Sequence, residues 1–189
     1  MLQKLLTILS FLLFNISYSQ VFINEIDSDN SGFDTMEFVE LKSTTANFSL
    51  DGYVLVFFNE TNNLSYFAID LDGLVTDGNG NILLANPTVN PSGSYTIPSN
   101  SIQNGPDAVA IYLGDAIDFP TGTVATSTNL INALVYSNNG TTSATVLMSA
   151  LGVLTSYNEN VNGFAATQSI QRKADGTYEV KTPTPRANN

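Results

Sequence analysis

The sequence predicts an all-β protein, a sandwich or a barrel, and two observations lead to that class. Short apolar runs rich in Val, Ile, Phe and Tyr recur along the chain, as expected of strands. Turn-forming sequences such as Asp51-Gly52 and Asp175-Gly176 separate them at spacings that favour a sandwich or barrel over βαβ units. The composition agrees, because hydrophobic residues make up 43% of the 189 residues and charged residues only 12%.

Nine segments are expected to form strands and one to form a helix. The run at 53–58 is apolar on both faces, which predicts a central strand covered on both sides. The turns at 59–63 and 175–176 predict hairpins. Apolar residues at helical spacing predict one short helix near residues 143–151 over one end of the sandwich. Its expected caps are Thr142 or Ser143 at the start and Gly152 at the end. The predicted strands are 21–26, 37–42, 53–58, 66–69, 82–85, 108–113, 132–136, 169–172 and 178–180.

The N-terminus has the order of residue types found in a cleavable signal peptide. Lys4 precedes an apolar stretch from Leu5 to Phe14, and the small residues Ser17 and Ser19 follow at the cleavage positions. The stretch is far shorter than the roughly 20 apolar residues that a membrane span needs, and no second long apolar run follows. We therefore expect a signal peptide at 1–19, one domain at 20–189, and no transmembrane segment after cleavage. The expected location is outside the cell or in the cell envelope.

Charge and residue usage exclude several classes of function. The formal net charge is −11, with 6 Lys and Arg against 17 Asp and Glu, so binding to nucleic acid is not expected. The chain has no Cys and no His. It can therefore form no disulfide, no Ser-His-Asp triad, no Cys-His pair and no His-ligated zinc site. We expect a protein that is not an enzyme.

Three motifs in the first third of the chain resemble a known family. They are I-N-E-I at 23–26, E-F-V-E-L at 37–41 and L-D-G-Y-V-L at 50–55, and in this order they resemble the lamin-tail domain family. The likeness is to exported single-domain bacterial members of the Bacteroidota type. It implies an immunoglobulin-like β-sandwich that serves as an attachment or binding module. Thr184 and Pro185 also resemble the end of bacterial members, although Arg186 stands where the family usually has glycine.

The densest group of charged side chains lies at 25–40. Carboxylates at alternating positions before Gly32 match the opening of an EF-hand loop, but Phe38 stands where the closing Glu should be. Three hypotheses remain: a solvated acidic loop, a structural Ca²⁺ site, or a catalytic carboxylate pair as in a glycosidase. If the two flanking strands form a hairpin, the register brings Glu25 near Glu37 or near Glu40. The candidate Ca²⁺ ligands are Glu25, Asp27, Asp29, Asp34, Glu37 and Glu40.

The leading hypothesis is an exported, non-catalytic binding, adhesion or structural module of the lamin-tail type. Its expected partner is a protein or glycan at the cell surface. The alternative is an extracellular structural or matrix protein stabilised by Ca²⁺, which is the one cofactor that the sequence suggests. A third hypothesis is a hydrolase that uses carboxylates and a metal.

Overall fold

The structure, a computed structural model, describes residues 20–138, 144–187 and 189. These residues form two β-sheets that pack face to face, so the prediction of an all-β sandwich is confirmed. All nine predicted strands are present, and two short strands of two and three residues were not predicted. The expected signal peptide at 1–19 and the candidate helix caps Thr142 and Ser143 lie outside the described residues.

The first sheet has six strands in the order β11-β10-β1-β2-β5-β6. Neighbouring strands of this sheet pair antiparallel, except that β5 and β6 pair parallel. The predicted closing hairpin joins the last two strands of the chain. The bounds are Val21–Asp27 for β1, Phe38–Ser43 for β2, Asn81–Ala85 for β5, Tyr95–Thr96 for β6, Ser169–Arg172 for β10 and Tyr178–Lys181 for β11.

The second sheet has five strands in the order β4-β3-β7-β8-β9. Its pairs are antiparallel, apart from the parallel pair of β8 and β9, and β3 and β4 form the predicted hairpin. The bounds are Tyr53–Asn59 for β3, Leu64–Asp70 for β4, Asp107–Leu113 for β7, Leu130–Ser137 for β8 and Ser156–Asn158 for β9.

Alternate side chains of each strand fill the space between the sheets. On β2, Val39 and Leu41 belong to this core and meet residues of the second sheet such as Leu55 and Phe57. The strand period of two places Phe38 and Glu40 on the opposite, outer face of the first sheet. Of the two glutamates of the E-F-V-E-L motif, Glu40 therefore lies on that outer face.

The helix α1, Thr145–Leu151, covers the outer face of the second sheet. Leu147 and Leu151 are buried in a cluster with Val54 and Val56 of β3. The central position of β3 is thereby confirmed, because both of its faces are covered. The predicted position of the helix at one end of the sandwich is wrong. Its apolar residues pack on the outer face of the second sheet, against β3, β7 and β8.

The end of α1 agrees with the prediction. Gly152 has φ +65°, and its N–H donates to the carbonyls of Met148 and Ser149. Within the described residues, no helix has the length and apolar content required to cross a membrane.

Candidate functional site

The two glutamates at the centre of the I-N-E-I and E-F-V-E-L motifs lie directly opposite each other. Glu25 of β1 pairs with Glu40 of β2 in the antiparallel register, so both side chains share the outer face of the first sheet. Of the two registers that the sequence allowed, the structure has the one with Glu40. Both side chains are completely buried, as is that of Glu37. The hypothesis of a solvated acidic loop is therefore wrong.

Glu25 is buried by the C-terminal segment of the chain. We call residues 182–187 the C-terminal strap, because they cross the outer face of the first sheet. The N–H and the Oγ1 hydroxyl of Thr184 donate to the Glu25 carboxylate at 2.8 and 2.9 Å. The Ser169 hydroxyl donates at 2.6 Å and the Gln171 amide at 3.2 Å. Four protein donors thus replace the water that this carboxylate loses on burial.

Glu40 binds the strap two residues further along the chain, at Arg186. Its Oε2 atom accepts from the Arg186 N–H at 2.5 Å, and its Oε1 atom accepts from the Asn24 amide at 2.8 Å. The backbone of Arg186 has φ +63°, a left-handed conformation that favours glycine. Glycine is also the residue that the family resemblance led us to expect after Pro185. The arginine side chain gives the strap a second anchor, because it donates to the Ser92 carbonyl at 3.1 Å and to the Ser94 hydroxyl at 2.7 Å.

Glu37 and Glu159 fasten two other irregular segments. Glu37 accepts from the N–H groups of Ser101 and Ile102, both at 3.0 Å. Glu159 accepts from the N–H of Ser28 at 3.1 Å and from its hydroxyl at 2.6 Å. Glu159 is not among the predicted site residues, because its polar neighbours show no strand or helix period that would indicate burial.

The remaining three candidate ligands take part in the loop that follows β1. Asp34 accepts from the Asn30 N–H at 2.7 Å, and Asp27 accepts from the Asn30 side-chain amide at 2.9 Å. Asp29 accepts from the Asn104 amide at 3.1 Å. Across the described residues, no group of three or more acidic side chains is arranged to hold a metal ion. The Ca²⁺ set stays a prediction, and the six carboxylates are bonded to donors of the protein itself.

Burial makes these acids much weaker than ordinary carboxyl groups. It raises the pKa of Glu37 and that of Glu40 to about 7, and the pKa of Glu159 to about 8. Burial also raises the pKa of Asp107 to about 6 and raises the pKa of Asp27 well above its ordinary value. Neighbouring carboxylates act in the same direction, chiefly Glu159 on Asp27. These buried acids therefore hold protons at a pH where exposed acids are ionised.

An apolar groove of about 300 Å³ lies beside these acids. We call it the strap groove, because prolines of the C-terminal strap form one wall. Other walls come from the loop between β1 and β2, the loop after β5, and the 3₁₀ turn at Ala165–Thr167. Asp27 and Asn30 are the polar residues nearest to the sheet. Its main apolar residues are Met36, Phe38, Val89, Pro183 and Pro185.

Large apolar side chains stand exposed on the loops that border the strap groove. Phe33 and Met36, in the loop between β1 and β2, are 67% and 49% exposed. Phe164 and Val161, just before the 3₁₀ turn, are 64% and 65% exposed. Folded proteins seldom leave so many large apolar groups in water around one groove unless a partner covers them.

Comparison of the chain with models of protein families, with curated proteins and with solved structures gave no match. The candidate site therefore rests on its geometry alone.

The raised pKa values predict that the protein is more stable in mild acid than in mild base. Between pH 4.5 and 8 the folded state binds more protons than the unfolded chain, whose glutamates have ordinary pKa values near 4.5. The free energy of unfolding therefore falls as pH rises through this window, by about 1.4 kcal/mol per pH unit for each proton difference. Urea denaturation at pH 5, 6, 7 and 8 measures the slope. The Glu159→Gln variant should show a shallower slope above pH 6, whereas stability that rises from pH 5 to 8 would contradict this account.

Chelation should leave the protein unchanged if the carboxylates are satisfied by the protein's own donors. We expect the same melting temperature with EDTA, with added Ca²⁺ and with neither, because a ligand stabilises only a state that binds it. Differential scanning calorimetry of the three samples at one pH measures this. A melting temperature that EDTA lowers and Ca²⁺ restores would instead support the six-residue Ca²⁺ site.

Proposed function

We propose that the protein is an exported, non-catalytic binding module of the lamin-tail type, which attaches to a protein or glycan at the cell surface. The observation that carries this proposal is the exposure of Phe33, Met36, Val161 and Phe164 on the segments that border the strap groove. We call these four side chains the apolar rim, and a partner that covers them removes apolar surface from water.

Export is supported by the residue order of the N-terminus. The sequence from Lys4 to Ser19 has the positive, apolar and small-residue regions of a signal peptide.

A non-catalytic role is supported by the bonding of the acids. A carboxylate that serves as acid, base or nucleophile must reach a substrate. Here Glu25, Glu37, Glu40 and Glu159 are completely buried and accept bonds from backbone and side-chain donors. Their geometry suits the support of loops and not the attack on a bond.

The carboxylates make the strap groove a preformed site. One wall belongs to the strap, which Glu25 and Glu40 hold on the sheet. Another belongs to the segment of Glu159, which is bonded to Ser28 at the end of β1. Walls fixed in this way lose little conformational freedom when a partner binds, so more of the contact energy appears as affinity.

Substitution of the exposed aromatic side chains of the apolar rim should weaken the attachment of the protein to the cell surface. We expect the double variant Phe33→Ser/Phe164→Ser to bind an envelope fraction from the native cell at least about tenfold more weakly, since aromatic anchors dominate interface energetics. Sedimentation of labelled protein with the envelope fraction measures this. Ile117→Ser/Leu154→Ser is the control, because these side chains are 82% and 95% exposed but lie on segments that contribute no residue to the groove. Equal loss in both double variants, or loss in neither, would overturn the proposal.

A further inference from the structure

We propose that the strap groove binds a cationic peptide segment of the partner, with one arginine or lysine side chain along its apolar wall and the charged head at the Asp27 carboxylate. This inference rests on the proposed function and specifies the chemistry of the partner.

The size and lining of the groove suit one long basic side chain. Its volume of about 300 Å³ holds a single extended side chain with part of its backbone. Arginine and lysine have apolar stems that pack on apolar surface while the head reaches a polar group. Phe38, Pro183 and Pro185 provide such a surface, and Met36 extends it to the rim.

Asp27 provides the polar group for that head. It lines the groove and is only 5% exposed. Within the described residues its hydrogen bond comes from one donor, the Asn30 amide, and reaches one oxygen, Oδ1. Glu25, on the same strand, has four such donors. A buried carboxylate with so few donors gains most from a charge-assisted bond supplied by a ligand.

The charges around the groove also favour a cation. The segments that line it, 27–38, 86–91, 159–168 and 183–185, contain no Lys and no Arg. Arg186 follows directly in the chain, but its side chain is bonded to Ser92 and Ser94 and lies 3.9 Å from Asp77. When the acids of the groove ionise, no Lys or Arg of these lining segments offsets their charge. The acids of these segments are Asp27, Asp29, Asp34, Glu37 and Glu159.

Two other occupants fit the observations less well. A neutral apolar ligand would cover the rim but leave Asp27 buried with its single donor, which costs free energy. A second copy of this chain would bring another acidic surface against the same acids, and like charges oppose such a contact.

The binding of a cationic segment should depend on pH, because the Asp27 carboxyl group titrates. Burial raises the pKa of Asp27, and the facing carboxylates Glu159, Glu25 and Asp29 raise it further, while the Asn30 amide lowers it. A bound cation favours the ionised form, so binding should become tighter as the pH rises.

The test uses two neutral-flanked tripeptides as probes. Acetyl-Leu-Arg-Leu-amide carries the cation, and acetyl-Leu-citrulline-Leu-amide is its neutral isostere. Titration of each into ¹⁵N-labelled protein, followed by NMR, should shift the amides of Asn30, Met36, Val89 and Thr167. We expect the arginine peptide to bind about tenfold more tightly than the citrulline peptide, the value for one charge-assisted bond.

Variants locate the effect. Asp27→Asn keeps the shape of the side chain and should reduce binding of the arginine peptide about tenfold, to the affinity of the citrulline peptide. Thr167→Arg places a cation at the groove and should weaken binding similarly. Thr61→Arg adds the same charge at the hairpin between β3 and β4 and should have no comparable effect. Thr167→Arg keeps the test valid if Asp27→Asn fails to fold.

Several outcomes would overturn the inference. They are equal affinity for the two peptides, no binding of the arginine peptide, shifts away from the groove, or a dimer whose interface covers the groove. Envelope binding separates this failure from that of the proposed function. If binding to the envelope fraction still depends on Phe33 and Phe164 while the arginine peptide does not bind, only the inference of a cationic partner segment is overturned. If the arginine peptide binds at the groove but binding to the envelope fraction does not depend on Phe33 and Phe164, only the proposed attachment to the cell surface is overturned.

Discussion

Buried carboxylates that accept hydrogen bonds from irregular backbone are the constraint on which the rest of this structure depends. The chain has no disulfide to fix its C-terminal segment. Glu25 and Glu40 supply that fixation, because they lie opposite each other and bond the N–H groups of Thr184 and Arg186. Glu37 does the same for the loop at Ser101 and Ile102. Each bond is worth only about 1.5–3 kcal/mol, but an unpaired carboxylate in the same place would cost more than its bond contributes.

The proposed site follows from this arrangement. The strap forms a wall of the groove only while its bonds to the sheet persist, and Glu159 fixes the opposite wall through Ser28. The acids Glu159, Glu25 and Asp29 also raise the pKa of Asp27, so a bound cation would stabilise the ionised form of this group. Stability and recognition are therefore linked, because the same buried groups set the pH range of the fold and the preference for a cation. The apolar rim adds the area that a partner must cover.

The sequence was sufficient to predict the fold class, nine strands, two hairpins and the helix. Apolar runs, helical spacing and turn residues are local signals, so they can be recognised without knowledge of distant contacts. Tyr53–Asn59 shows how far this reaches, since its continuous apolar run correctly indicated a strand covered on both faces. The burial of Glu25 and Glu40 could not be predicted in the same way. The backbone donors of the strap lie 159 residues from Glu25 and 146 residues from Glu40 in the sequence, so the segment 25–40 by itself predicts a solvated loop, a cation site or a catalytic carboxylate pair. Glu159 was missed for the same reason, because its donor Ser28 is 131 residues away.

Hydrogen exchange at four backbone amides tests the central claim most directly. The account predicts that Thr184, Arg186, Ser101 and Ile102 are protected, although none of their N–H groups bonds within a regular strand pair or helix. In the Glu37→Ala variant, Ser101 and Ile102 should lose protection while Thr184 and Arg186 keep it. Exchange of all four amides at the rate of an unfolded peptide in the unaltered protein, or loss of protection at the strap in Glu37→Ala alone, would contradict the account.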